Sequence, residues 1–140
     1  MKAFLDTSVL VAAFYADHQH HAPSFELFLR FDKPQVSCSA HSLAEVYSCL
    51  TGMPGKDRVT GDEALLFLGN VRERLTLIAL DESEQSRAIE ASSAYVSGGG
   101  IYDALLGYCA LKANAKSLYT WNPKDFKRLS AAISERVRTP

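Results

Sequence analysis

The chain has 140 residues, of which 47% are hydrophobic and 22% are charged, and its formal net charge is −1 at pH 7. This length and balance predict one compact domain, residues 1–140, with one hydrophobic core. A net charge this close to zero does not by itself indicate a nucleic-acid binder. A membrane-spanning protein is excluded because no apolar run approaches the roughly 20 residues that a span needs. No secretory signal pattern precedes the first apolar run, so we expect a cytoplasmic protein with no membrane partner.

Strand-like runs alternate with helical patterns along the chain. In chain order the first half predicts a strand at Lys2–Asp6, helices at Val9–Tyr15 and Pro23–Phe31, a strand at Gln35–Ser39 and a helix at Leu43–Leu50. A capping box of Thr60 and Glu63 then opens a helix over Ala64–Leu68, followed by a strand at Leu75–Asp81 and helices at about Glu82–Val96 and Ile101–Asn114. The chain ends with a strand at Ser117–Thr120 and a weaker one near Arg136–Arg138.

This alternation predicts an α/β fold in which a single-domain open parallel sheet of about four or five strands is flanked by helices on both faces. Ligands of such sheets bind beyond the carboxyl ends of the strands, and several carboxylates fall there. Asp6 ends the first predicted strand, Asp81 ends the third, and Asp125 follows the fourth. No glycine-rich phosphate-binding motif follows any strand, so a nucleotide-binding role does not account for these acids.

Each acid taken alone also has a purely structural interpretation. Asp6 could cap the helix that follows it, although Thr7 and Ser8 could do the same. Glu45 lies away from the apolar stripe of its helix, which is typical of a solvated surface acid. Asp103 begins an apolar helix, where the helix dipole favours an acid, and Asp125 lies in an Asn-Pro-x-Asp pattern that suits a plain turn.

Taken together, the four acids can reach one place at the strand ends, where crowded carboxylates would repel one another unless a cation joined them. A hard divalent ion such as Mg²⁺ or Mn²⁺ prefers oxygen ligands and can serve phosphodiester hydrolysis. The basic stretch 112–138, with seven basic residues against two acidic ones, suits a phosphate backbone and equally a solvated helix face. The three cysteines are odd in number and widely spaced, which favours reduced thiols.

Four segments carry a family resemblance across nearly the whole chain: FLDTSVLVAAF, SLAEVYSCL, GIYDALLGYCAL and LYTWNPKDF, in that order. They resemble the four motifs of the PIN-domain ribonucleases, in particular the VapC-like toxins of type II toxin–antitoxin pairs. The resemblance implies that Asp6, Glu45, Asp103 and Asp125 surround Mg²⁺ or Mn²⁺, with Ser8, Thr120 and Asn122 supporting them. It also implies an RNA substrate, a homodimer and a small VapB-like antitoxin partner.

Two features depart from this pattern or stand outside it. Trp121 lies where the family commonly has a small or basic residue, a departure that can alter the stacking of substrate, and the resemblance leaves open whether Asn122 or Asp125 is nearer the metal. The histidines of DHQHHAP, His18, His20 and His21, are interpreted as a surface helix entry, because no cysteine or acid stands at the spacing of a metal site.

The sequence thus favours a metal-dependent endoribonuclease that is the toxin of a toxin–antitoxin pair. Two alternatives stay open: a nuclease that processes RNA without acting as a toxin, and a module with a nuclease-like fold that binds RNA or protein without turnover. A small-molecule phosphatase is disfavoured because no phosphate-binding loop is present.

Overall fold

The computed structural model describes residues 1–140, which form five short strands and eight helices. The strands are β1 (Ala3–Leu5), β2 (Val36–Ser39), β3 (Thr76–Ile78), β4 (Ser117–Tyr119) and β5 (Val137–Arg138). The helices are α1 (Thr7–Phe14), α2 (His21–Arg30), α3 (Ala40–Gly52), α4 (Gly61–Arg74), α5 (Glu82–Ser92), α6 (Gly100–Lys112), α7 (Pro123–Lys127) and α8 (Ala131–Ser134). Single 3₁₀ turns lie at Lys33–Gln35 and Gly55–Asp57.

The five strands form one parallel sheet in the order β3-β2-β1-β4-β5, which confirms the predicted fold class. Ala3 of the central strand β1 pairs with Val36 of β2 on one side and with Ser117 of β4 on the other. The chain leaves β1 toward β2 and later returns to the opposite side of β1 as β4. The carboxyl end of β1 is therefore the point where the strand order reverses, and ligands of open α/β sheets bind at such points.

Helices cover both faces of the sheet, as the alternating pattern predicts. Ala3 and Leu5 of β1 belong to a core cluster formed with α1, α2, α3 and α4. Phe4, whose side chain points the other way, belongs to a second cluster formed with α6, α7 and α8. The sheet is thus buried on both sides, which explains why β1 is apolar throughout. None of the eight helices is long and apolar enough to cross a membrane.

Two local predictions are wrong in their details. The third strand stops at Ile78, so Asp81 does not end it. Asp81 instead caps α5: its carboxylate accepts a hydrogen bond from the Glu84 amide at 2.8 Å, and Glu84 Oε1 accepts one from the Asp81 amide at 2.9 Å. This reciprocal capping box removes Asp81 from the strand-end acids.

The Asn-Pro segment after β4 is a helix and not a plain turn, because Pro123 occupies the first helical position, where no amide donor is needed.

Helix α6 lies in the interior, as its uniformly apolar sequence predicts. Ile133 of α8 packs directly over Gly107 of α6, so closely that a Cβ added at residue 107 would lie 2.8 Å from Ile133 Cδ1 and 2.9 Å from its Cγ2. Ile133 is itself fully buried and has little room to move. The missing side chain at residue 107 therefore sets how closely α6 and α8 approach.

We expect the Gly107→Ala variant to unfold more easily than the wild type by about 1–3 kcal/mol, because the added methyl group overpacks the contact with Ile133. The matched control is Gly69→Ala in α4, where an added Cβ meets no atom within 4 Å. Alanine there should stabilise the protein by about 0.5–1 kcal/mol, as it does in an ordinary helix interior. Urea titrations of the three proteins measure both effects, and equal stabilisation by both substitutions would contradict the packing described here.

Candidate metal and phosphodiester site

The candidate site begins with Asp6, the residue that directly follows β1. Asp6 occupies the N-cap position of α1, and its side chain makes no capping hydrogen bond of normal geometry, although the nearby backbone amides of Thr7 and Ser8 help to lower its pKa. The residue is only 4% exposed, and its carboxylate forms no ion pair with any lysine or arginine. Burial raises the pKa of Asp6, while hydrogen bonds from Thr120 and Ser8 lower it.

Two hydroxyl groups hold the Asp6 carboxylate in place. Ser8 Oγ and Thr120 Oγ1 each donate to Asp6 Oδ2 at 2.8 Å. Ser8 Oγ accepts the backbone amide of Trp121 at 3.0 Å, and Thr120 Oγ1 accepts that of Asn122 at 2.9 Å. Because each hydroxyl has a single hydrogen and an amide occupies an acceptor position, both hydrogens are directed at Asp6. Neither hydroxyl bonds to Oδ1 of the same carboxylate.

A second acid reaches the same place from α3. Glu45 is half-buried, and its Oε1 accepts a hydrogen bond at 3.1 Å from Thr7 Oγ1, whose hydroxyl also lies 2.9 Å from Ser42 Oγ. Thr7 begins α1, next to Asp6, so this contact ties the first turn of α1 to α3. Glu45 therefore borders a cavity and does not lie on the open solvated face that the helical pattern indicates; its role at a metal ion, which the family resemblance implies, stays a prediction.

The third acid, Asp103, lies in the first turn of α6 and is half-buried. Its pKa is raised to about 6, in the first place by burial. The charges of Asp125, Asp6 and Glu45 also raise it, while that of Arg128 lowers it. Arg128 Nη2 lies 3.7 Å from Asp103 Oδ2 and is the one basic group paired with any of the four acids. Each of the other three acids therefore lies within electrostatic range of Asp103.

These side chains share an open cavity of about 540 Å³ at the carboxyl end of β1. Of the predicted site residues, the cavity lining includes Asp6, Ser8, Glu45, Asp103 and Asn122. Thr120 lies beneath the cavity as a fully buried residue that contacts Asp6, and Asp125 is an exposed residue of α7 outside the lining. Asn122 therefore borders the cavity, whereas Asp125 lies outside its lining and its charge raises the pKa of Asp103.

Other residues also line the cavity. His18, His20 and Trp121 form part of its wall; the sequence predicts only a helix entry for the histidines and an effect on substrate stacking for Trp121, and it places none of them beside the acids. His20 does lie at the N-cap of α2, as that interpretation requires. No sequence spacing relates His20 to Trp121, so only the folded chain shows that they meet. Arg128 was missed as well, because it was counted only as part of the basic stretch.

The donor chemistry of this cavity suits a hard divalent ion. Asp6, Glu45 and Asp103 offer only oxygen atoms, and Mg²⁺ and Mn²⁺ prefer oxygen ligands. No group of three or more His, Cys, Asp or Glu side chains is close enough to hold an ion by itself. Mg²⁺ typically binds through one or two carboxylates and keeps several waters, so a complete protein cage is not required for a fit.

Comparisons with known proteins agree with this architecture. The family model of the PIN domain matches residues 3–132. The chain is 34% identical over 114 residues to Ribonuclease VapC40 of Mycobacterium tuberculosis, and the match covers 81% of each chain.

Solved structures show the same fold at lower sequence identity. A crystal structure of VapBC2 from Rickettsia felis, bound to a DNA fragment from their promoter, matches with a TM-score of 0.69 and 20% identity, over 99% of this chain and 98% of that one. Mycobacterium tuberculosis VapC20, described as a sarcin-ricin loop cleaving toxin, matches with a TM-score of 0.68 and 17% identity, over 89% and 92% of the two chains. From the family match and the VapC40 identity, we conclude that the chain belongs to the PIN-domain family, within its VapC-like branch.

Proposed function

We propose that this protein is an Mg²⁺- or Mn²⁺-dependent endoribonuclease and the toxin of a toxin–antitoxin pair that acts in the cytoplasm. The observation that carries the proposal is the shared cavity of Asp6, Glu45 and Asp103, three acids from separate elements that have Arg128 as their only ion-pair partner. Crowded carboxylates without basic partners are tolerable where a cation joins them. The similarity to a protein named Ribonuclease VapC40 supports RNA as the substrate.

In this proposal Asp6 and Asp103 hold the ion, and Glu45 and Asn122 contribute to the same cavity directly or through water. A divalent ion there would supply an activated water and offset the charge that develops on the scissile phosphate. Ser8 and Thr120 keep Asp6 oriented, and Thr7 does the same for Glu45. Arg128 Nη2 lies 3.7 Å from Asp103 Oδ2, so in the absence of a metal ion Arg128 is the counter-ion of this carboxylate.

The protein partners proposed here follow from the relatives and from the surface. VapBC2 of Rickettsia felis is a complex, and we propose a VapB-like antitoxin and a second copy of the chain as partners of this protein. Large apolar side chains are exposed on α2 and α4, among them Phe25 and Leu29 of α2 and Leu65 and Leu66 of α4. Exposed apolar groups concentrated on neighbouring helices suit a protein partner.

A second candidate function is a binding module that captures RNA without cutting it. The observation that favours it is that no three acids lie close enough to form a ready-made ion cage. Such a module would retain RNA with or without a divalent ion and release no product. The nuclease assay below separates the two functions.

We expect the wild-type protein to cleave total RNA in Mn²⁺ or Mg²⁺ and to lose all cleavage in chelator. Asp6→Asn and Asp103→Asn should each reduce the cleavage rate by more than about 100-fold, because each removes a negative charge that would bind the ion. Ser8→Ala should reduce it by about 10- to 100-fold, because Ser8 orients the Asp6 carboxylate. Asp125→Asn should cost less than Asp103→Asn, since Asp125 lies outside the cavity lining. The control is Glu90→Gln, an exposed acid of α5 whose loss should leave the rate unchanged. Full activity of the Asp103→Asn variant at the same metal concentration would refute these roles.

The raised pKa of Asp103 predicts a pH-dependent stability of the metal-free protein. The native state binds this proton more tightly than the unfolded state, whose Asp pKa is near 3.8, so the stabilising effect is complete below that pH. It is lost as the pH rises through about 6, the native value. In chelator, the melting temperature of Asp103→Asn should therefore exceed that of the wild type by more at pH 7.5 than at pH 4.5. Mg²⁺ should raise the melting temperature of the wild type and not that of the variant. If the difference in melting temperature between the two proteins does not change with pH, the raised pKa of Asp103 is contradicted.

If the protein is a toxin, its expression without an antitoxin should arrest bacterial growth, because RNA cleavage then goes unchecked. The Asp103→Asn variant, produced at the same level, should permit normal growth. Growth curves and immunoblots of the two strains make the comparison. Normal growth with a wild-type protein that cleaves RNA in vitro would favour the non-toxin, RNA-processing function.

A further inference from the structure

Two aromatic rings are stacked in the wall of the acid cavity. The imidazole of His20 lies on the indole of Trp121 with ring centroids 3.7 Å apart and ring planes inclined by 7°. His20 precedes α2 and Trp121 follows β4, so the two residues lie about a hundred positions apart in the chain. Both line the same cavity as Asp6 and Asp103.

The orientation of the indole is fixed by hydrogen bonds at both ends of the residue. Trp121 Nε1 donates to Ser24 Oγ at 2.8 Å, and Ser24 is fully buried in α2. The Trp121 backbone amide donates to Ser8 Oγ, which in turn donates to Asp6. The indole also packs against the core cluster on the α1–α4 side of the sheet. The position of Trp121 is therefore tied to the carboxylate at the centre of the site.

The imidazole of His20 is stacked in parallel on one side only. Its backbone amide donates to His18 Nδ1 at 3.0 Å, which orders the turn that carries both histidines. The ring of His18 lies 5.7 Å away and is inclined by 44°, so it does not stack on the second face of His20. His20 is half-buried, and no other aromatic ring of the chain adds a third member to the His20–Trp121 stack.

An ordered pair of flat rings beside a phosphodiester site has an evident chemical partner. Bases of single-stranded RNA stack on tryptophan and histidine rings, whereas the bases of a duplex are already stacked on each other. We propose that the His20–Trp121 stack is a base-stacking subsite that binds one unpaired nucleobase of the RNA next to the scissile phosphate. This inference rests on the proposed ribonuclease function and assigns a base-binding role to two residues of that site.

The experiment compares His20→Ala with His20→Phe on a single-stranded RNA oligonucleotide that the wild type cleaves. Loss of a stacked base typically lowers binding by about 5- to 150-fold, so His20→Ala should lower kcat/KM by that factor, mainly through a higher KM. His20→Phe keeps a flat ring and should restore most of the loss. The matched control is His41→Ala, an exposed histidine of α3 outside the cavity, which should behave like the wild type. Melting temperatures of all variants reveal any loss of folding.

A second set of substrates locates the base. One abasic residue is placed in turn at each position next to the cleaved bond. At one position the abasic substrate should be cut equally slowly by the wild type and by His20→Ala, because neither can then gain the stacking. Wild-type kinetics of His20→Ala on the intact RNA would overturn the proposal. Failure of His20→Phe to restore activity, together with a changed pH profile, would show instead that the imidazole transfers a proton.

Binding without cleavage tests the subsite even if the chain is no nuclease. Trp121 is the only tryptophan, so the tryptophan emission of the protein comes from this residue. Single-stranded poly(A) should change the Trp121 emission of the Asp103→Asn protein, and inorganic polyphosphate, which carries charge but no bases, should not. Absence of any RNA cleavage by the wild type, with this response intact, would defeat the proposed ribonuclease function and leave the subsite standing. Equal responses to both polymers would defeat the subsite.

Discussion

The arrangement of this protein depends on an almost buried carboxylate, Asp6, that has no basic partner. Burying an ionised acid is costly, and two neutral hydroxyls offset only part of that cost. The backbone amides of Trp121 and Asn122 orient these hydroxyls, so the loop after β4 must stay in place for Asp6 to be satisfied. A cation in the adjoining cavity, which Glu45 and Asp103 also line, would offset the rest of that cost.

Each acid reaches this cavity by a different structural device. The parallel pairing of β1 with both β2 and β4 puts Asp6 at the point where the strand order reverses. Close packing of α6 on α8 through Gly107 positions the helix that carries Asp103. Thr7, adjacent to Asp6, connects to Glu45 and so links α1 with α3. The site is therefore sensitive to substitutions in the interior as well as to those in the cavity itself.

Much of the fold could be predicted from the sequence, because its signals are local. The apolar run that ends at Asp6 indicates a buried strand with an acid at its end, and the Thr60–Glu63 capping box marks the start of α4 correctly. Asp81 was misplaced because the same carboxylate suits a strand end and a helix cap, and its neighbour Glu84 decides between them. Glu45 could not be placed from its helix alone, since a helical pattern shows which side is apolar and not whether the polar side borders a cleft. The contact of His20 with Trp121 joins distant segments, and no local pattern encodes it.

The proposed function requires a divalent ion to bind among these acids. Anomalous diffraction from a crystal soaked in Mn²⁺ tests this requirement most directly. We expect one or more anomalous peaks inside the cavity lined by Asp6, Glu45 and Asp103, with at least one carboxylate oxygen and several waters around each ion. A cavity without an anomalous peak at millimolar Mn²⁺, with Arg128 still paired to Asp103, would contradict the account.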